Sequence, residues 1–117
     1  MNRNADPPRA PVARMVEDIV GCKWSLAVIG ALRAGVVRPG ALEHHIDGIS
    51  KKVLNERLAK LLRYGIVDKQ SYPELPPRVE YRITAFGLRL CALLDGVDRL
   101  QQELDRADGA QQGPAAP

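Results

Sequence analysis

Residues 49–65 read ISKKVLNERLAKLLRYG, apolar on one helical face and basic, with one amide, on the other. Leu54, Leu58, Leu61 and Leu62 recur at i, i+4, i+7 and i+8 and so share one stripe of an α-helix. Ser50 offers a side-chain oxygen to the unpaired N–H groups of the first turn, and Gly65 suits the residue just past a helix end. The spacing predicts a helix over about 50–64. Opposite the leucines stand Lys52, Asn55, Glu56, Ala59 and Arg63, with Lys51 and Lys60 at the flanks. Two lysines in a first turn oppose the helix dipole at a cost of roughly 0.3–1 kcal/mol unless an anion lies nearby. A nucleic-acid phosphate is such an anion. Asn55 can pair bidentately with adenine, Glu56 can accept from cytosine N4, and the small Ala59 lets the helix axis approach a groove. A solvated surface face has the same composition, so the neighbours must decide.

Upstream, Pro39 suits the first position of a brief helix, Pro39 to about His45, with Leu42 and Ile46 facing inward and Asp47-Gly48 turning the chain. A short helix, a glycine-containing turn and a capped helix with a basic outer face make a helix-turn-helix, and residues 50–64 are its groove-entering helix. Downstream, residues 66–72 and 79–83 alternate as two strands joined through Pro73-Glu74-Leu75-Pro76-Pro77-Arg78. That hairpin, about 66–83, is a wing whose proline-stiffened tip is expected to present Arg78 to a minor groove or phosphate. An ordinary exposed arginine is the alternative.

Before the motif, Val12, Met15, Val16, Ile19 and Val20 mark an amphipathic helix ended by Gly21. A second helix, about Lys23 to Ala34, is apolar on most sides, and Trp24 in its first turn reads as a core anchor. After the wing, Thr84 can cap a long helix, about 85–107, in which Phe86, Leu90, Leu93, Val97, Leu100 and Leu104 are spaced as a heptad seam. Its far end, rich in Gln101, Gln102, Glu103 and Asp105, leaves the last leucines little to bury against within one small chain. The expectation is a two-fold dimer built on Val12, Met15 and that seam, with packing against the chain's own first helix as the alternative. Residues 11–107 form the domain; 1–10 and 108–117 carry no periodicity and are expected to be flexible.

The chain has 117 residues, one domain by size, and 17 Lys and Arg against 14 Asp and Glu. Charge is polarised: residues 51–82 hold eight bases and four acids, whereas residues 83–117 hold three and five. A basic middle favours a polyanionic partner. Two cysteines, Cys22 and Cys91, are too few for a disulfide framework and too far apart for a metal pair, which suits a reducing cytoplasm. Neither a secretion signal nor an apolar run long enough to span a membrane is present in the sequence. Adjacent His44 and His45 fall on different helical faces, and there is no phosphate-cradling glycine loop or nucleophile motif, so no metal, no cofactor and no catalysis are expected.

Several of these stretches, taken together, resemble the HxlR family of winged helix-turn-helix transcriptional regulators, similar in architecture to MarR regulators. Gly21-Cys22-Lys23-Trp24 is similar to the family's GGKW, Gly48-Ile49-Ser50 and Leu54 to Leu58 to its GIS and LTxRL, and Gly65-Ile66-Val67 to its GLV. Tyr72-Pro73, Pro76-Pro77-Arg78-Val79-Glu80-Tyr81 and Ile83-Thr84 with Gly87 look like its wing motif. The resemblance spans roughly Val12 to Leu94. It implies an α+β, mostly α fold and a homodimer bound to double-stranded DNA at a pseudo-palindromic operator, with Arg38, Ser50, Lys51, Lys52, Asn55, Glu56, Ala59, Lys60 and Arg78 as the contact set. A small-molecule effector would enter the crevice between the dimer helices and the DNA-binding lobe. Three departures stand out. Ala10-Pro11-Val12 replaces the family's Cys-Pro-Val, so its thiol is missing; Cys22, near a helix N-terminus, is the remaining candidate redox sensor. Arg38-Pro39-Gly40-Ala41-Leu42 loses the aromatic of RFxEL. Asn55 stands where Thr is frequent and should change what the helix reads. A winged-helix protein-interaction module, docking an acidic protein on the same helix, is the competing function.

Overall fold

The computed structural model describes residues 10–112. Its elements in chain order are α1 (Val12–Val20), α2 (Lys23–Arg33), α3 (Pro39–His45), α4 (Lys51–Arg63), β1 (Val67–Tyr72), β2 (Arg78–Ile83) and α5 (Ala85–Gln112). This is the mostly α winged helix-turn-helix expected from sequence. Helix α2 lies at the centre and packs against α1, α3, α4 and β2. Val28 of α2, Leu42 of α3, Leu54, Leu58 and Leu61 of α4, and Ile66 and Val67 after it are buried together. Each such side chain contributes roughly 1.5–3 kcal/mol by leaving water.

The caps fall where the sequence places them. The Val53 N–H donates to Ser50 Oγ at 3.1 Å, closing the first turn of α4. Thr84 Oγ1 accepts from the Gly87 N–H at 2.9 Å and donates to the Gly65 carbonyl at 2.7 Å, so one hydroxyl caps α5 and ties it to the end of α4. Two glycines are demanded by geometry. Gly48 turns the chain between α3 and α4 at a φ of 85°, with the Trp24 ring beside it. At Gly87 a Cβ would stand 2.2 Å from the Ile66 carbonyl oxygen, so only glycine lets α5 lie this close to the start of β1.

Strands β1 and β2 pair antiparallel from Val67↔Ile83 to Tyr72↔Arg78. Arg78 is therefore the first residue of β2, not the tip of the loop. The Tyr81 N–H donates to the Val37 carbonyl at 2.8 Å, laying residues 36–38 along the free edge of β2 and joining the wing to the start of α3.

Helix α5 differs from expectation in two ways. It continues to Gln112, so residues 108–112 are helical rather than a flexible tail. No proline stands between Ala85 and Gln112 to interrupt it. Residues 1–9 and 113–117, the rest of the ends expected to be flexible, lie outside the described residues. In its first half the buried stripe is Leu90, Cys91 and Leu94, rotated from the heptad seam, because α5 there lies against β2 and the core. Leu90, and Met15 of α1, are thus buried within the chain and have little surface left for a partner, contrary to their assignment to a dimer interface. Val12, Leu93, Val97, Leu100 and Leu104 are exposed and Phe86 is half-buried.

Candidate nucleic-acid interface

The outward face of α4 presents Ser50, Lys51, Lys52, Asn55, Glu56, Ala59 and Arg63 to solvent. Among the described residues Lys51, Lys52 and Arg63 form no ion pair, so their charge is uncommitted. Behind them the buried leucines hold the helix in place. Lys60 is a correction: its ammonium lies 3.7 Å from Asp18 of α1 and is half-buried, because position 60 falls on the flank turned toward α1. The Tyr64 hydroxyl donates to the same carboxylate. That hydrogen bond, with the Lys60 and Arg14 charges, outweighs desolvation and holds the Asp18 carboxyl below its ordinary range.

The start of α3 stands between the reading helix and the wing. On one side Pro39, Gly40 and Glu43 form a cleft of about 270 Å³ with Lys51, Leu54 and Asn55 of α4. On the other, Arg38 and Pro39 face Glu74, Leu75, Pro76, Pro77, Arg78 and Val79 across a cleft of about 370 Å³.

Arg78 is the second correction. Its guanidinium stacks on the Tyr72 ring at 3.7 Å from the centroid and donates to Glu74 at 2.8 Å and to Glu80 at 2.8 Å. The facing strand, the loop and the same strand two residues on supply these partners, so the side chain is engaged within the wing instead of pointing outward. The tip carries Leu75 instead, 98% exposed. Two residues that sequence reasoning missed belong to this region. Arg82 donates to Glu80 at 2.7 Å, and Glu80 is buried among arginines although its place in a strand of charged residues suggested solvent. The only sequence signal was the alternation Arg78, Glu80, Arg82, which puts the three on one sheet face.

Cys22 is half-buried at the N-cap of α2. Burial pushes its thiol up, but the Ser25 N–H and hydroxyl, the Trp24 N–H and the Arg57 charge outweigh that, and the thiol sits below its ordinary value. Cys91 is buried and its thiol is pushed up by desolvation. His44 and His45 are exposed at the end of α3, and no group of three or more potential metal ligands occurs among the described residues. Two grooves lie away from α4. The larger, about 460 Å³, runs between Lys23, Trp24, Ala27, Gly30 and Ala31 of α2 and the turn His45-Ile46-Asp47. The smaller, about 290 Å³, joins Val12 of α1 to Phe86, Arg89, Leu90 and Leu93 of α5. No helix among the described residues is long and apolar enough to cross a membrane.

The model of the HxlR-like helix-turn-helix family matches residues 19–107, from the end of α1 through most of α5. The chain belongs to that family. This HxlR-like chain is 39% identical over 110 residues to an uncharacterized HTH-type transcriptional regulator, sll1512, of Synechocystis, covering 86% of this chain and 81% of that protein. Among solved structures, a putative MarR-family transcriptional regulator from Enterococcus faecalis superposes with a TM-score of 0.76 at 30% identity, over 85% of this chain and 90% of the other. Diamide-treated YodB from Bacillus subtilis gives 0.71 at 29% identity, over 83% and 96%. The HxlR-like chain is a helix-turn-helix transcriptional regulator, and its family is one of regulators, not enzymes.

Proposed function

We propose that this regulator is a cytoplasmic homodimer that reads a pseudo-palindromic double-stranded operator through α4. The observation that carries the reading is the outward face of α4: Lys51 and Lys52 without ion-pair partners in the first turn, and Asn55, Glu56 and Ala59 exposed beyond them on a capped helix. Lysines held at the positive end of a helix dipole gain most from a phosphate, and base edges are read by amide and carboxylate side chains. Two-fold pairing rests on the exposed Leu93, Val97, Leu100 and Leu104 of α5, with Val12 of α1 beside them. A small-molecule effector fits best in the groove between Val12 and Phe86, at the junction of α1 and α5, where occupancy would alter the spacing of the two reading helices.

The test is binding to the DNA flanking the chain's own gene at physiological salt with random competitor. Lys52→Ala should weaken binding to any sequence and make the salt slope shallower by about 0.9 for each protomer of the dimer. Asn55→Ala should chiefly relax base preference, by about 1–3 kcal/mol at one position. Binding that random DNA abolishes, with neither variant altering it, would instead favour a protein-interaction module docking an acidic partner.

A second reading, thiol-responsive control through Cys22, is favoured by its lowered thiol at the α2 N-cap near Arg57. Mild oxidation by hydrogen peroxide should then release DNA, and Cys22→Ser should abolish that response. Release that persists in Cys22→Ser sinks this reading.

A further inference from the structure

Glu80 is the one charged residue among the described residues that is buried. Its carboxylate, 8% exposed, meets Arg82 at 2.7 Å, Arg78 at 2.8 Å and Arg38 at 4.0 Å. Arg82 and Arg78 reach it from positions two residues away on the same strand, and Arg38 reaches it from residues 36–38 laid along the strand edge by the Tyr81–Val37 hydrogen bond. Gln70 stands opposite Glu80 in the ladder and Asp68 opposite Arg82. The three guanidinium groups are not equivalent. Arg78 is taken up by Glu74, Glu80 and the Tyr72 ring, and only 26% of its side chain is exposed. Arg82 donates to Glu80 through one nitrogen, whereas Arg38 Nε stands 4.0 Å from it as an ion pair without a hydrogen bond, and the Arg38 and Arg82 side chains remain 58% and 62% exposed. A guanidinium has five N–H donors in a planar fork, so both keep most of their donors for another acceptor. One carboxylate thus bonds Arg82 directly and attracts Arg38 by charge, while both side chains stay more than half exposed. Their place is also set: Arg38 precedes Pro39, whose other side borders the cleft with Lys51 and Asn55.

We propose that Glu80 is the positioning residue of the wing: it fixes Arg38 and Arg82 as a paired fork for DNA backbone phosphate at the junction of α3 and β2. This deepens the DNA-binding reading of α4 and rests on it. Arginine loses much rotamer freedom when it grips a phosphate, and a carboxylate that has already ordered two of them removes that cost before DNA arrives. Arg78 and Glu74 close the cluster and stiffen the hairpin, and do not touch DNA.

The proposal makes a prediction opposite in sign to that of simple charge counting. Glu80→Gln removes a negative charge from a surface facing a polyanion, which by itself strengthens binding. If Glu80 positions the two arginines, Glu80→Gln instead weakens operator binding about tenfold and makes the salt slope shallower by about 1–2 per protomer. Glu74→Gln makes the same charge change at a carboxylate that holds only Arg78, and should leave the slope unchanged. In the Glu80→Gln background, adding Arg82→Gln should cost much less than it does alone, because the contact is already disordered. Melting temperature, and exchange protection of the Tyr81 amide, report whether the wing still pairs. Should Glu80→Gln fail to fold, Arg38→Gln and Arg82→Gln carry the test: each should reduce the slope by about 0.9 per protomer, and Arg78→Gln should not. Unchanged or tighter binding by folded Glu80→Gln, additive losses in the double variant, or unchanged slopes in both arginine variants would overturn the proposal. If Lys52→Ala still weakens binding in that case, the α4 reading survives; if it does not, the failure lies with DNA binding itself.

Discussion

Helices α4 and α5 carry leucines at similar helical spacing and meet opposite fates. Leu54, Leu58 and Leu61 of α4 are 1% exposed, whereas Leu93, Val97, Leu100 and Leu104 of α5 are 45–62% exposed. The difference comes from their surroundings. Helix α4 is enclosed by α2, α3 and β1, while α5 touches β2 near its start and then runs on past the domain. The bidentate pair of Arg33 with Asp95, both contacts at 2.9 Å, marks the last tie between α2 and α5. An apolar stripe therefore states which side of a helix avoids water, but not what covers it. In α4 the chain supplies the cover and the opposite, polar face is left to solvent; in the far half of α5 the apolar stripe itself is left there.

The contrast can be broken at four points, taken from the largest expected effect downward. Leu58→Ala should cost about 2–5 kcal/mol of folding stability in urea denaturation, since it empties a site closed on all sides. Loss of under about 1 kcal/mol would mean that α4 is not anchored as described. Leu100→Glu should leave the fold intact and weaken self-association, measured by sedimentation equilibrium, by about a hundredfold, or about 2.7 kcal/mol. A wild-type chain that stays monomeric at high micromolar concentration would remove the two-fold reading of α5. Gly87→Ala should cost about 2 kcal/mol or more in thermal melting, because the new Cβ meets the Ile66 carbonyl backbone and one of the two must move. An unchanged melting temperature would show that α5 can shift away from β1 freely.

The smallest effect is electrostatic. Asp18 has its folded-state carboxyl held below the ordinary range by the Tyr64 hydroxyl and Lys60. A depressed folded value means that the contribution is present above the unfolded value, about pH 4, and is lost as pH falls through the folded one. Stability should therefore decline on acidification below about pH 4 more steeply in the native chain than in Asp18→Asn. Parallel pH profiles would show that the tie between α1 and α4 is not maintained in solution.

Much of the molecule was legible before any coordinates. The caps at Ser50 and Thr84, the turn at Gly48, the hairpin, and the buried face of α4 all follow from local chemistry that a short window contains. The exposed polar face of α4 followed as well, except for Lys60, whose place on the flank matters only once α1 and Asp18 are beside it. Arg78 was misread for the same reason. Its type and loop position suggested an outward contact, but Tyr72, Glu74 and Glu80 surround it only when the strands pair in register. Met15 and Leu90 fit a seam in one dimension and are turned into the core by the packing of α5 on β2.

The sequence by itself determined the helix-turn-helix, the wing and the polar outer face of α4, because capping, turn geometry and helical periodicity act over a few residues. Only the tertiary structure decided which charges are committed. Ion pairing depends on distances between residues far apart in the chain, so among the described residues Lys51 and Lys52 came out without partners, Lys60 and Arg78 came out paired, and Glu80 came out as the buried neighbour of three arginines.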